Sequence, residues 1–200
     1  MILRDLEAGE LPAAALVLAD GMRDNPLHVR VFGTDAESRE QALARLFAAA
    51  IARVGNRGTV EGAFEGDTLV GVCGRVPPGK CRLSVGERIR FLPSMLRGNP
   101  LGVVSRIYSW VGAWSRLDPD EPHWHLGPIA VSRSRQRGGV GTLLLRSFCE
   151  RMDRERTAAY LETDRETNVR FYEKAGFSIG RQEDVVGVPC WFMTRRAAGP

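Results

Sequence analysis

A basic, glycine-rich turn in the C-terminal half is the segment best suited to bind a ligand. Gln136, Gly139 and Gly141 give the spacing Gln-x-x-Gly-x-Gly, between a predicted strand and a predicted helix. Glycines let the backbone approach a ligand closely, and successive N–H groups at a helix start form a cradle for anions. The turn therefore predicts a phosphate-binding loop, with a solvated strand-to-helix turn as the alternative. Its spacing matches neither a Walker A loop nor the dinucleotide fingerprint.

The strand before this turn is interrupted by Gly127 and Pro128. Proline has no N–H to give to a β-ladder, so the pair predicts a bulge or an unpaired edge. Unpaired backbone groups could bind an extended ligand, and a plain edge strand is the alternative.

A third segment carries Asn168 and Tyr172 four residues apart, hence on one face of a helix. That face could present an amide and a phenol to one ligand. Asn168 could instead cap the helix, and Tyr172 could be a core ring.

Composition limits the other classes of function. The chain has 200 residues, 44% hydrophobic residues and a net charge of +4, typical of one globular domain. Its longest apolar run, 11–19, is shorter than the ~20 residues of a membrane span, and no secretory signal is evident. No Cys/His spacing fits a zinc site, so we expect reduced cysteines, no metal and a cytoplasmic location.

The positive charge is too dispersed for a typical nucleic-acid binder. Its one tight cluster consists of Arg133, Arg135 and Arg137, beside the glycine-rich turn. We therefore expect neither a nucleic-acid nor a membrane partner.

Hydrophobic periodicity predicts the elements that position these segments. Helices are expected near 11–22, 36–54, 89–96, 103–114, 139–154 and 167–174, and strands near 2–4, 59–64, 68–73, 124–131, 158–163, 177–179 and 190–194. The alternation in the C-terminal half favours an α/β (α+β mixed) sheet with a parallel pair of strands.

The three segments together resemble the GNAT superfamily of acetyl-CoA-dependent N-acetyltransferases, and within it the puromycin N-acetyltransferase-like members. The resemblance is carried by 126–131, by 136–141 and by 161–177, in that order. It implies a GNAT-like fold: a mostly antiparallel sheet with a splayed parallel strand pair and helices on both faces. It also implies one domain over 1–200, with 78–120 as a helical insertion forming a lid on the acceptor side.

The resemblance also implies which residues bind acetyl-CoA, the cosubstrate. The turn would hold the pyrophosphate, the strand backbone would pair with the pantetheine arm, and Asn168 would touch that arm. The cofactor-binding residues are thus expected to be Ile129, Ala130, Val131, Gln136, Arg137, Gly138, Gly139, Val140, Gly141, Thr142 and Asn168.

Three residues are candidates for the catalytic steps. The family pattern directs Tyr172 at the thioester sulfur, where a phenol with an ordinary pKa of ~10 can protonate the leaving thiolate. An amine must lose a proton to attack, and His125, Glu162 or water is the candidate base.

The acceptor is expected to be a primary amine of a small molecule, acetylated by a monomer or homodimer. Its pocket would come from 24–34 and 80–117, with Tyr108, Trp110, Trp114, Phe91 and Met95 as lining residues or, alternatively, as the core of a lid. Two other hypotheses remain: acetylation of a protein N-terminus or lysine, and a non-catalytic coenzyme A-binding module.

Overall fold

The computed structural model describes residues 1–82, 86 and 98–197. The strands are β1 (Ile2–Asp5), β2 (Thr59–Glu65), β3 (Thr68–Val76), β4 (His123–Val131), β5 (Ala158–Thr163), β6 (Ser178–Val185) and β7 (Val188–Arg195). The helices are α1 (Leu11–Met22), α2 (Pro26–Phe32), α3 (Ala36–Arg57), α4 (Leu101–Leu117), α5 (Val140–Glu155) and α6 (Glu166–Glu173). The helix expected at 89–96 falls outside the described residues.

The seven strands form one sheet in the order β1-β2-β3-β4-β5-β7-β6. All pairs are antiparallel except β4 and β5, which are parallel. The predicted fold class is therefore confirmed: a mixed sheet, mostly antiparallel, with one parallel pair and flanking helices.

Side chains alternate between the two faces of the sheet and divide the core accordingly. Val72 packs with α1 and α3 on one face, whereas its neighbour Cys73 packs with α5 on the other. In β5, Tyr160 faces α2 and α4, and Leu161 faces α5. Helices thus cover both faces, and the ends of the central strands remain to build a site.

Local sequence signals set several helix boundaries. Asp35 caps α3, since its carboxylate accepts the N–H of Ser38 at 2.8 Å. Gly139 precedes α5 in the left-handed conformation (φ 83°), which suits glycine. Helix α2 was not predicted: it has seven residues and fills part of the segment assigned to the acceptor side. Among the described helices, none is both long and apolar enough to cross a bilayer.

Candidate active site

The parallel strands β4 and β5 pair over a short distance and then separate. Their pairing runs from His123 opposite Ala158 to His125 opposite Tyr160. Strand β4 continues to Val131, paired with β3 alone, and its register shifts opposite Cys73 to Arg75. Within the described part of the chain, the edge of β4 that faces β5 is therefore unpaired beyond His125, one of the two outcomes that the Gly-Pro interruption predicted.

The hydrogen-bond register of β3 and β4 shows which backbone groups face the opening. The N–H of Ser132 donates to the carbonyl of Val70 at 2.9 Å. Hydrogen-bonded and non-hydrogen-bonded positions alternate along an antiparallel pair. The backbone N–H and C=O of Ala130 are thus directed toward β3, whereas the N–H groups of Ile129 and Val131 face the gap between β4 and β5.

The glycine-rich turn has the conformation of an anion-binding cradle. Arg137 and Gly139 both have positive φ (65° and 83°), and α5 begins at the next residue. The first N–H groups of a helix have no partner within it, so those at 140–142 are directed toward the turn. Gln136 supports this shape, since its side-chain amide donates to the carbonyls of Gly21 and Val131 at 3.0 and 3.1 Å.

The three clustered arginines have different surroundings. Arg135 pairs with Glu65 at 2.6 Å, and Arg133 lies 3.8 Å from the carboxylates of Asp20 and Asp24. Arg137 makes no ion pair with any residue in the described ranges and lines the large cavity. Two of the three charges are therefore balanced locally, and the third is available to a phosphate.

Tyr172 lies on α6 beside the open end of β4 and β5. Its ring is 5% exposed and contacts Phe171 and Phe177, with ring centroids 5.2 and 6.0 Å apart. Its hydroxyl has no hydrogen-bond partner in the described part of the chain, and burial raises its pKa above the ordinary value. Tyr172 is therefore a protonated phenol facing the cavity, while Asn168 donates to the hydroxyl of Thr163 at 3.3 Å.

The two candidate bases form one hydrogen-bonded pair. Nε2 of His125 lies 3.0 Å from Oε2 of Glu162, whose side chain is 4% exposed. A carboxylate only accepts hydrogen bonds, so Nε2 carries the proton and donates it. Burial opposes the charged ring, but contact with Glu162 and with Cys81 together outweighs it and raises the pKa of His125 to about 10. Nε2 therefore has no lone pair for a substrate.

Next to this pair, the structure brings together four potential metal ligands. Cys81, Asp118, His123 and His125 each place one donor atom within 4.8 Å of the others. Burial alone would lower the pKa of His123, but contact with Asp118 and Cys81 outweighs it and raises the value to about 10. The cluster was not predictable from the sequence, because its members lie on three separate segments, without a short Cys/His motif.

One cavity of about 910 Å³ joins all these features. It runs from the glycine-rich turn, along the open edge of β4 and past Tyr172, to the ends of β5 and α4. Of the candidate lining residues, Trp110 and Trp114 border it. Tyr108 is 65% exposed and does not, so its assignment to the pocket was wrong. Phe91 and Met95 lie outside the described residues.

Two further residues, at the end of the cavity beside α2, were not singled out from the sequence. The buried carboxylate of Asp164 accepts the side-chain amide of Asn25 at 3.1 Å and the N–H of Leu27 at 2.8 Å. It thereby fixes the start of α2 to the end of β5. His28, one residue further on, lines the cavity with its ring 5.3 Å from that of Trp110.

Comparison with known proteins agrees with this architecture. The model of the acetyltransferase (GNAT) family matches residues 28–177. The chain therefore belongs to the GNAT family of acetyltransferases.

Solved structures show the same fold at low sequence identity. A Corynebacterium glutamicum protein described as a histone acetyltransferase and related acetyltransferase is 21% identical, with a TM-score of 0.74, over 99% of this chain and 97% of that chain. An aminoglycoside 6'-N-acetyltransferase complexed with coenzyme A is 18% identical, with a TM-score of 0.58, over 100% and 99%. The ribosomal-protein-S18-alanine N-acetyltransferase of Escherichia coli is 13% identical, with a TM-score of 0.59, over 100% and 95%.

Proposed function

We propose that the protein transfers an acetyl group from acetyl-CoA to the primary amine of a small molecule, by direct attack in a ternary complex. The observation that carries the proposal is the single cavity, which joins an anion cradle, an open strand edge, a phenol and a carboxylate. Membership of the GNAT family and the coenzyme A complex of one relative support acetyl-CoA as the donor.

The cradle at 137–142 would bind the pyrophosphate of coenzyme A. Backbone N–H groups of the first turn of α5 would donate to phosphate oxygens, and Arg137 would add a charge. The pantetheine arm would lie in the gap between β4 and β5, where the amides of Ile129 and Val131 can pair with its amides. Asn168, at the edge of the same cavity, would contact the arm near the thioester.

The amine nitrogen attacks the thioester carbonyl carbon, and one of its protons must leave. We assign the proton acceptor to Glu162 rather than to His125, because Nε2 of His125 already donates to that carboxylate. His125 then acts as a positioning residue that orients Glu162. The tetrahedral oxyanion would accept a hydrogen bond from a backbone N–H of β4, at residue 127 or 129.

Collapse of the intermediate breaks the carbon–sulfur bond and releases a thiolate. Tyr172 would donate its phenolic proton to that sulfur. A buried phenol with a raised pKa is fully protonated at neutral pH, as this step requires. Its hydroxyl has no partner among residues 1–82, 86 and 98–197, so it can make this hydrogen bond.

We further propose that residues 1–200 form one acetyltransferase domain, in which 78–120 closes the acceptor side as a lid. Within that range, Trp110 and Trp114 of α4 border the cavity and support this assignment. A puromycin N-acetyltransferase-like acceptor, a cytoplasmic location and a monomeric or homodimeric state stay predictions from the sequence.

A thiol-release assay with acetyl-CoA tests the proposed function. The acceptors would include aminonucleosides, amino acids, polyamines and short peptides with free N-termini or lysines. Release of coenzyme A that depends on a small primary amine is expected. Release with the peptides alone would instead indicate a protein acetyltransferase. Tight binding of coenzyme A without any turnover would indicate a binding module.

A further inference from the structure

We propose that Cys81, Asp118, His123 and His125 bind a divalent metal ion of the zinc type at the acceptor end of the cavity. The donor set is one thiolate, one carboxylate and two imidazoles, which suits four-coordinate Zn²⁺ better than Mg²⁺ or Ca²⁺. The four donor atoms lie within 4.8 Å of one another. A tetrahedral zinc site needs donor atoms roughly 3.4 Å apart, so small rotations of the side chains suffice.

The hydrogen bonds around the histidines direct donor atoms at a common centre. Nδ1 of His123 lies 2.8 Å from the carbonyl oxygen of Glu121, so it donates there and leaves Nε2 as the ligand atom. Nε2 of His125 donates to Glu162. A carboxylate or carbonyl that accepts the other N–H is the usual arrangement around a histidine that binds a metal.

Two buried polar atoms of the cluster contact each other without a well-aligned hydrogen bond, which points independently to a missing ligand. Oδ1 of Asp118 and Nε2 of His123 are buried, on side chains 6% and 8% exposed. The two atoms are 2.9 Å apart, yet neither makes a well-aligned hydrogen bond with any of the described residues. A buried ion pair without good hydrogen bonds repays its desolvation cost poorly, and a shared cation would satisfy both atoms.

The charge of the site also favours a divalent ion. When metal binding displaces the thiol proton and the second proton of each imidazole, the four ligands carry a total of −2, which one Zn²⁺ neutralises. A neutral buried site avoids the desolvation cost of isolated charges. The metal would join the chain just after β3, the C-terminal end of α4 and the start of β4. These three segments border the acceptor end of the cavity.

The site would hold His125 in the orientation in which it donates to Glu162. The metal thus supports the proposed proton acceptor and need not touch the acetyl group. It does not contribute to the phosphate cradle, which lies at the opposite end of the cavity. Metal binding and coenzyme A binding can therefore be tested separately on the same protein.

The test is metal analysis of the purified full chain, followed by Zn²⁺ and Co²⁺ titration after chelation. We expect one zinc per chain and, with Co²⁺, the thiolate charge-transfer and intense visible absorption of a tetrahedral site. C81S, D118N and H123Q should lose this binding. Less than stoichiometric Zn²⁺ uptake by the wild-type protein, or a Co²⁺ spectrum without a thiolate contribution, would overturn the proposal. Both results come from the wild-type protein, so they hold even if a variant fails to fold.

Controls separate a bound metal from a structural effect. Replacing a residue that hydrogen-bonds to a metal ligand weakens metal binding about 10–100-fold. E162Q should therefore lower the zinc affinity within that range, and substitution of a ligand itself should lower it further. C149S and H28Q alter a cysteine and a histidine outside the cluster and should bind zinc like the wild type. Equal binding by C81S and C149S would refute the site. Coenzyme A affinity should stay unchanged in the chelated protein.

Discussion

Replacing Tyr172 with Phe removes one oxygen atom and tests the proposed acid directly. The ring would keep its contacts with Phe171 and Phe177. The hydroxyl has no hydrogen-bond partner among the described residues, so the free energy of unfolding should change by no more than roughly 1 kcal/mol, the size of one net hydrogen bond. The loss should fall on turnover.

General acid catalysis contributes about 10²–10⁴-fold to a rate. Tyr172→Phe should therefore lower kcat by that factor, equivalent to about 2.7–5.4 kcal/mol at 1.36 kcal/mol per tenfold change. Thiol release under saturating acetyl-CoA and amine gives kcat, and calorimetry gives the affinity for acetyl-CoA, which should stay within a few-fold of the wild type.

Tyr108→Phe is the matched control, because Tyr108 is 65% exposed and lies away from the cavity. It should leave kcat and affinity unchanged. If Tyr172→Phe turned over at the wild-type rate, the proton would reach the sulfur from elsewhere and the assignment would be wrong. A large loss of acetyl-CoA affinity with unchanged kcat would instead make Tyr172 a binding residue.

Three further substitutions, two of them with a matched control, test the cradle and the core. Gly139→Asp should abolish coenzyme A binding, measured by calorimetry, because the new carboxylate repels the phosphates. Gly66→Asp should not, although Gly66 also has a positive φ and open space around it. Arg137→Ala should weaken coenzyme A binding and reduce its dependence on salt. Arg133→Ala should have a smaller effect, because the charge of Arg133 is already balanced by Asp20 and Asp24. Equal effects of the two substitutions would contradict the assignment of Arg137 to the phosphate. Arg75→Met leaves the buried carboxylate of Glu61 without its ion-pair partner. It should lower the free energy of unfolding, measured in urea, by about 3–5 kcal/mol. A loss below about 1 kcal/mol would show that the ion pair is dispensable.

The sequence predicted those helices, strands and turns that depend on residues close together in the chain. The apolar stripe of α3 predicted that helix directly, and the Gly-Pro interruption of β4 predicted a bulge or an open strand edge. The cradle was recognisable because glycine spacing and helix start are adjacent in the chain. These features depend on residues only a few positions apart.

Features that depend on distant residues were not predictable in this way. Helix α2 is short and is stabilised by a carboxylate far along the chain, Asp164, which binds its first turn. The insertion of β7 between β5 and β6 follows from packing of the whole sheet. The contact of His125 with Glu162 joins two strands, so the sequence offered both as bases and could not show that they form one hydrogen-bonded pair.

If the glycine-rich turn and the open edge of β4 bind coenzyme A, their backbone amides should be shielded in the complex. Hydrogen–deuterium exchange of the backbone amides, with and without saturating coenzyme A, measures this location directly. We expect slower exchange in peptides that cover 129–131 and 137–142, and little change in the exchange rates of β1 and β2. Unchanged exchange at 129–142 in a protein that binds coenzyme A, with protection only elsewhere, would contradict this location.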